Sequence, residues 1–275
     1  MSGPPGRSVS APRLALHTWS LDTTPLADAL AAARGAGWDA IELRRADFDR
    51  AVAAGRPAAS VLDLVKASGL PVACVGVEFG WMWADGPERE RLLRVFDEQC
   101  ARAAALGTGL VMSPVDKTKG PVARAAAGVR EVGDVAARHS VRLAVEFNSQ
   151  AEQLNSLARV REVLAAAGHP ACGLLLDTYH LGRTGWPMRE VEDLSPAEIV
   201  YVQFSDVPAS GVAPGQIMPR LAPGRGIVDF KTFFALVRSR GYEGPLSYEA
   251  PDPEAWKRPP ADVAREALEA TRLFL

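Results

Sequence analysis

What most constrains this chain is a recurring pair of patterns, a short apolar run followed by an amphipathic helical stretch. The apolar runs are RLALHT (13–18), DAIEL (39–43), PVACVGVE (71–78), TGLVMSP (108–114), VRLAVEF (141–147), CGLLLD (172–177), IVYVQFSD (199–206) and PLSYEA (245–250). Apolar runs of this kind read as strands covered on both faces, the habit of a parallel sheet. Pro25 opens the helix LADALAAARGAG, and Gly35 and Gly37 close it. ASVLDLVKASG, PERERLLRVFDEQCARAAALG, VARAAAGVREVGDVAARHS, LNSLARVREVLAAAG, FKTFFALVRSRG and ADVAREALEATRLFL are further helices. YHLGRTGWPMREVEDLSPAE is weakly periodic and reads as a loop with a short helix, and Val207 to Gly226 is a Gly/Pro-rich connection long enough to cover a site. Eight strands at spacings of roughly 30 residues argue for a parallel sheet, and eight is the number that closes a (β/α)8 barrel. The rival, an open doubly wound sheet, lacks its usual support, because no G-x-G-x-x-G follows the first strand. The expected fold is therefore α/β, one TIM-barrel domain over residues 13–275, preceded by a loose, disordered tail over residues 1–12.

Composition narrows the partners. A net charge of −2 argues against nucleic acid or an anionic membrane, since both need a basic surface. The opening MSGPPGRSVSAP has no apolar core of a signal peptide, and no run of about 20 apolar residues follows, so a cytoplasmic enzyme is expected. Cys74, Cys100 and Cys172 have no CxxC spacing and read as reduced core thiols.

The reactive groups of such a barrel come from the C-terminal ends of its strands. The polar residues there are His17, Glu42, Glu78, Glu146, Asp177, Gln203 and Glu249. A single acid at a strand exit is readily a solvated end or a loop ion pair. Apolar strands that repeatedly end in an oxygen ligand, at Glu146, Asp177, Gln203 and Glu249, instead describe a site if the strands converge. Carboxylates brought that close repel one another, and a divalent cation is the simplest remedy. Three carboxylates and an amide oxygen are hard ligands, which favours one Mg²⁺ or Mn²⁺ over Zn²⁺. His180, three residues past Asp177, is placed to carry a proton or donate to substrate, whereas His139 and His169 fall on helix ends away from the mouth. Arg220 and Arg225 lie on the long connection, where a guanidinium can clamp a substrate oxygen or else remain solvated. Trp81 and Trp83 follow the third strand and can wall the pocket or pack at a subunit contact. The substrate-binding candidates are thus His17, Glu78, Trp81 and Arg220.

Taken in order, VEFN, LDTYH, VQFSD, RLAPGRG and YE resemble the sugar phosphate isomerase/epimerase superfamily with the xylose isomerase-like barrel, from Arg13 to the C-terminus. In its ketose epimerases and hydroxypyruvate isomerases the metal ligands are Glu, Asp, His and Glu. The resemblance maps these onto Glu146, Asp177, Gln203 and Glu249, with both glutamates also moving the proton and His180 joining them as a catalytic group. Gln203 departs from the histidine of the epimerases and, with DTYH and the arginine loop, looks more like the 3-dehydroshikimate dehydratase branch. The implied activity is isomerisation or epimerisation of a small sugar-like hydroxycarbonyl compound, by proton abstraction alpha to the carbonyl through a metal-stabilised enediolate. A dehydratase, or a non-catalytic barrel, is the alternative. A nuclease of the endonuclease IV type shares the barrel but needs a histidine-rich zinc cluster, and this chain has four histidines. Relatives of this kind are commonly dimers or tetramers, so a homo-oligomer is expected.

Overall fold

The computed structural model describes residues 12–209 and 219–275. The tail expected over residues 1–12 lies, but for its last residue, outside the described part, as does the middle of the long connection, residues 210–218. Eight parallel strands close a barrel in chain order: β1 (Leu14–His17), β2 (Ala40–Leu43), β3 (Val72–Gly76), β4 (Leu110–Pro114), β5 (Arg142–Glu146), β6 (Cys172–Asp177), β7 (Ile199–Phe204) and β8 (Leu246–Tyr248). Ala15 against Ser247 makes the closing register between β1 and β8. The surrounding helices are α1 (Leu26–Ala36), α2 (Arg45–Ala53), α3 (Ala59–Ser68), α4 (Gly86–Ala105), α5 (Val122–Arg138), α6 (Leu157–Ala167), α7 (Thr178–Arg183), α8 (Met188–Glu192), α9 (Phe230–Ser239) and α10 (Pro260–Arg272). Among the described residues none of these is long and apolar enough to cross a membrane, and the three cysteines are free thiols.

Side chains alternate in and out along each strand, which splits the buried residues into two cores. Leu16, Ile41, Val111, Leu143, Val145, Leu176, Val202, Phe204 and Tyr248 point outward and pack with the helices. Ala15, Ala40, Cys74, Met112, Ala144, Leu175 and Tyr201 fill the barrel interior. Small residues dominate that interior, which is thus packed rather than hollow. The parity that turns Ala15, Ala40, Ala144, Leu175, Tyr201 and Ser247 inward also turns His17, Glu42, Glu146, Asp177, Gln203 and Glu249 inward one step nearer the mouth.

Helix stops follow local chemistry. Gly37, with a left-handed φ of 92°, ends α1 by donating its N–H to the Ala33 and Arg34 carbonyls. Three elements differ from the sequence reading. Helix α2 was not expected, because RADFDRAVA is too polar to show a long apolar stripe; its start is held by Arg44 N–H donating to Asp47 Oδ2 at 2.8 Å. The weakly periodic segment after β6 contains two short helices, α7 and α8, instead of one. Strand β3 closes at Gly76, so Glu78 sits in the loop beyond it.

Candidate active site

Six inward residues at the mouth form one polar cluster. His17, Glu42, Glu146, Asp177, Gln203 and Glu249 are all no more than 6% exposed. Burying so many acids is costly unless each finds a partner, and the partners define the geometry. Arg220, from the loop after β7, places Nη1 2.6 Å from Asp177 Oδ2 and 3.1 Å from Glu249 Oε2. Its guanidinium also lies over the Tyr179 ring, 4.0 Å from the centroid. Burial works against that charge, but Asp177, Glu249 and Glu146 outweigh it and raise the Arg220 pKa.

Both histidines of the site are neutral donors. His17 Nδ1 accepts the Trp19 N–H at 3.0 Å, and His180 Nδ1 accepts the Ser149 N–H at 3.2 Å. With Nδ1 used as an acceptor, each neutral ring carries its proton on Nε2. That nitrogen lies 3.6 Å from Glu42 and 3.7 Å from Glu249 for His17, and 3.7 Å from Glu146 Oε1 for His180. Burial lowers both pKa values: His17, also facing Arg44 and Arg220, falls well below its ordinary value, and His180 falls to about 3. The Ser149 hydroxyl, 2.9 Å from His180 Nδ1, accepts from Arg183 Nε at 3.1 Å and so ties α7 to the loop after β5.

The carboxylates move the other way. Burial and the charges of Asp177 and Glu249 push Glu146 well above the ordinary range. Burial lifts Glu249 to about 7 although the Arg220 charge opposes it. Glu42, deeper in the barrel, is pushed to about 8 by burial and by Glu249. Its Oε2 accepts from the Tyr201 hydroxyl at 2.9 Å and its Oε1 from Gln203 Nε2 at 2.8 Å.

The residues fit a divalent cation. Glu146 Oε1, Gln203 Oε1 and Glu249 Oε2 are buried without a well-formed hydrogen bond, although the last is ion-paired with Arg220. Such oxygens are expensive unless something electropositive meets them. Ligand atoms of Glu146, Asp177 and His180 lie within 4.8 Å of one another, the spacing of a shared metal ion. Asp177 and Glu249 in turn share one Arg220 nitrogen. The Glu146 and Asp177 oxygens are hard donors that suit one small divalent ion, and the His180 imidazole beside them could join only by giving up its Nε2 proton.

Other residues singled out in the sequence are distributed differently. Glu78 is half-buried and ion-paired with Arg45. Trp81 is 2% exposed, donates its indole N–H to Ser113 Oγ at 3.2 Å and packs edge-on against Phe96, which places it in the core between β4 and α4. Trp83 is half-buried with its N–H on the Pro121 carbonyl, and Arg225 is exposed. His139 and His169 pair with Asp97 and Asp134, away from the cluster. Asp206, missed in the sequence, organises the arginine loop by accepting the N–H groups of Val207, Gly224, Gly226 and Val228 at 2.8–2.9 Å. Its signal was an acid at a strand exit followed by a glycine-rich stretch, where many backbone donors need one acceptor.

Comparison with known proteins agrees with this architecture. The family described as xylose isomerase-like TIM barrel matches residues 30–274. The chain is similar to 3-dehydroshikimate dehydratases of Pseudomonas putida, 32% identical over 124 residues, and Pseudomonas aeruginosa, 31% identical over 169 residues. These alignments take in 44% and 60% of this chain but span 19% and 26% of those longer relatives. An inosose isomerase of Halalkalibacterium halodurans is 23% identical over 142 residues, 51% of this chain and 50% of its own. Among solved structures, the zinc-bound IOLI protein superposes with a TM-score of 0.85 at 16% identity, over 96% of this chain and 99% of its own, a likeness of fold.

Proposed function

The chain belongs to the xylose isomerase-like TIM-barrel family, and on that premise we propose that it is a divalent-metal-dependent isomerase or epimerase of a small sugar-like hydroxycarbonyl compound. The observation that carries this reading is the pair Glu146 and Glu249, on β5 and β8, each presenting a buried oxygen without a well-formed hydrogen bond in the cluster with Asp177 and Gln203. Glu146, Asp177, Gln203 and Glu249 would hold one ion, Mg²⁺ or Mn²⁺ by the hardness of the donors, with His180 in reach. When bound, that ion supplies electrophilic stabilisation of negative charge on substrate oxygens.

This chain's own residues do the rest. Burial raises both carboxyls, Glu249 to about 7, near the working pH, where a group serves as base in one direction and acid in the other. In the proposed reaction one glutamate removes the proton alpha to the carbonyl, giving an enediolate, and the other returns a proton to the opposite face or the neighbouring carbon. His180 and His17, held as Nε2–H donors, steady the two glutamates without taking up the proton. Arg220, paired with Asp177 and Glu249 at the mouth, would offer its guanidinium to a substrate oxygen. The test is deuterium incorporation from D₂O into recovered substrate across a panel of unphosphorylated ketoses with Mg²⁺ or Mn²⁺. Exchange with at least one member is expected, and none with any member counts against the proposal.

A second reading, a dehydratase of the 3-dehydroshikimate type, is favoured by Gln203 and by the similarity to the two Pseudomonas dehydratases. It shares the first proton abstraction and then expels the beta hydroxyl as water, the glutamate that took the alpha proton passing it to the leaving oxygen while His180 donates a hydrogen bond. Incubation with 3-dehydroshikimate separates the two, because only dehydration yields an ultraviolet-absorbing unsaturated product.

A further inference from the structure

We infer that Glu42 is a positioning residue that fixes which end of the Gln203 amide faces the ligand cluster. The two ends of a glutamine amide are nearly the same size, but only the oxygen can face a cation, and a flipped amide would aim two N–H groups at it. Something must therefore decide the orientation.

The barrel interior supplies it. Tyr201 and Gln203 are consecutive inward residues of β7, and both donate to the same carboxylate on β2. Tyr201 Oη meets Glu42 Oε2 at 2.9 Å, and Gln203 Nε2 meets Glu42 Oε1 at 2.8 Å. Held from below at its nitrogen, the amide leaves Gln203 Oε1 buried without a hydrogen bond. Glu42 is 0% exposed and has no arginine or lysine partner among the described residues; His17 Nε2 approaches no nearer than 3.6 Å. A buried acid with no cationic partner weakens a core that an apolar side chain would fill as well. Its place is explained by what it does to Gln203, in the manner of outer carboxylates that orient metal-bound imidazoles. The same arrangement explains how glutamine can serve at this point of the ligand set, since a carboxylate beneath it gives the amide one defined orientation.

The inference rests on the metal-binding reading above, and its test separates the two. Binding of Mn²⁺ is followed by electron paramagnetic resonance on the intact chain, wild type beside Glu146→Gln, Glu42→Gln, Glu42→Asp, Gln203→Ala and the double variant Glu42→Gln/Gln203→Ala. The metal-free unfolding midpoint of each is recorded alongside. Glu42→Asp keeps the carboxyl group but withdraws the acceptor from the amide, so it stands in if Glu42→Gln does not fold. Both Glu42 variants are expected to bind Mn²⁺ about 10- to 100-fold more weakly. In the Gln203→Ala background the Glu42 change is expected to have no further effect, because Glu42 acts through the amide. Wild-type binding that survives unchanged in the folded Glu42 variants overturns this role and leaves the metal reading standing. Additive losses in the double variant also overturn it, since Glu42 would then act independently of the amide. A wild-type chain that takes up no Mn²⁺ overturns the metal reading and this assignment with it.

Discussion

At the scale of single residues, the site is a balance of buried charges, and isosteric changes report it most directly. Glu146→Gln and Glu249→Gln keep volume and remove an ionisable ligand that is also a proposed proton carrier. Each is expected to lower the rate of solvent deuterium exchange by about 10²- to 10⁴-fold, measured under saturating metal, with the wild-type fold retained by circular dichroism. Glu42→Gln, at a residue that meets Tyr201 and Gln203 and is proposed to act only through the latter, is expected to spare much of that rate once metal is saturating. Much of this was legible in the sequence, because the C-terminal ends of barrel strands face the mouth and a buried apolar run marks where each strand ends. His17, Glu146, Asp177, Gln203 and Glu249 were found that way, each an inward residue at or just past the end of an apolar run. Glu42 was found by the same rule, but its hydrogen bonds cross the barrel from β2 to β7, and a pairing over 161 positions leaves no trace in local pattern.

At the scale of elements, the loop after β7 carries Arg220 and is organised around one buried side chain. Asp206 is 0% exposed, accepts four backbone N–H groups, and pairs through its own backbone with Leu221, the residue after Arg220. Asp206→Ala strands those donors and is expected to cost roughly 2–4 kcal/mol, read from urea unfolding, and to weaken substrate binding more than metal binding because Arg220 loses its support. Gly226 belongs to the same device: a Cβ there would meet the Val207 carbonyl oxygen at 2.0 Å, so Gly226→Ala should reproduce the loss. Strand β7 is also tied outward, where Phe204 packs against Phe230, Phe234 and Tyr248. The sequence showed the strands and the long helices well, since buried apolar runs and wide apolar stripes are local signals. It hid α2, whose start depends on Asp47 closing back onto Arg44, and it hid the Asp206 cradle, whose partners lie 18–22 residues downstream except for Val207.

At the scale of the whole molecule, closing eight strands into a ring forces acids from distant parts of the chain into one small volume, and the barrel bears the cost. The cost has a signature in pH. Glu249 and Glu42 have folded pKa values raised to about 7 and about 8 from an ordinary 4.5, so the folded state holds protons that the unfolded chain releases. Their contribution is fully present below pH 4.5 and is lost as pH rises through 7 and 8. His17 and His180, with lowered values, act in the opposite sense: their contribution is present above 6.5 and is lost as pH falls below it. The two effects oppose each other on the acid side, whereas between about pH 6.5 and 8 the raised carboxylates act without that opposition. The metal-free chain is therefore expected to lose melting temperature across that window. A divalent ion at about 100 times its dissociation constant adds about 2.7 kcal/mol, roughly 5–10 °C for a chain of this size. Its binding displaces protons and so strengthens as pH rises. Melting curves from pH 6.5 to 8, in chelator and in Mn²⁺, should thus diverge toward the alkaline end. Parallel curves would mean that the gathered carboxylates do not share an ion.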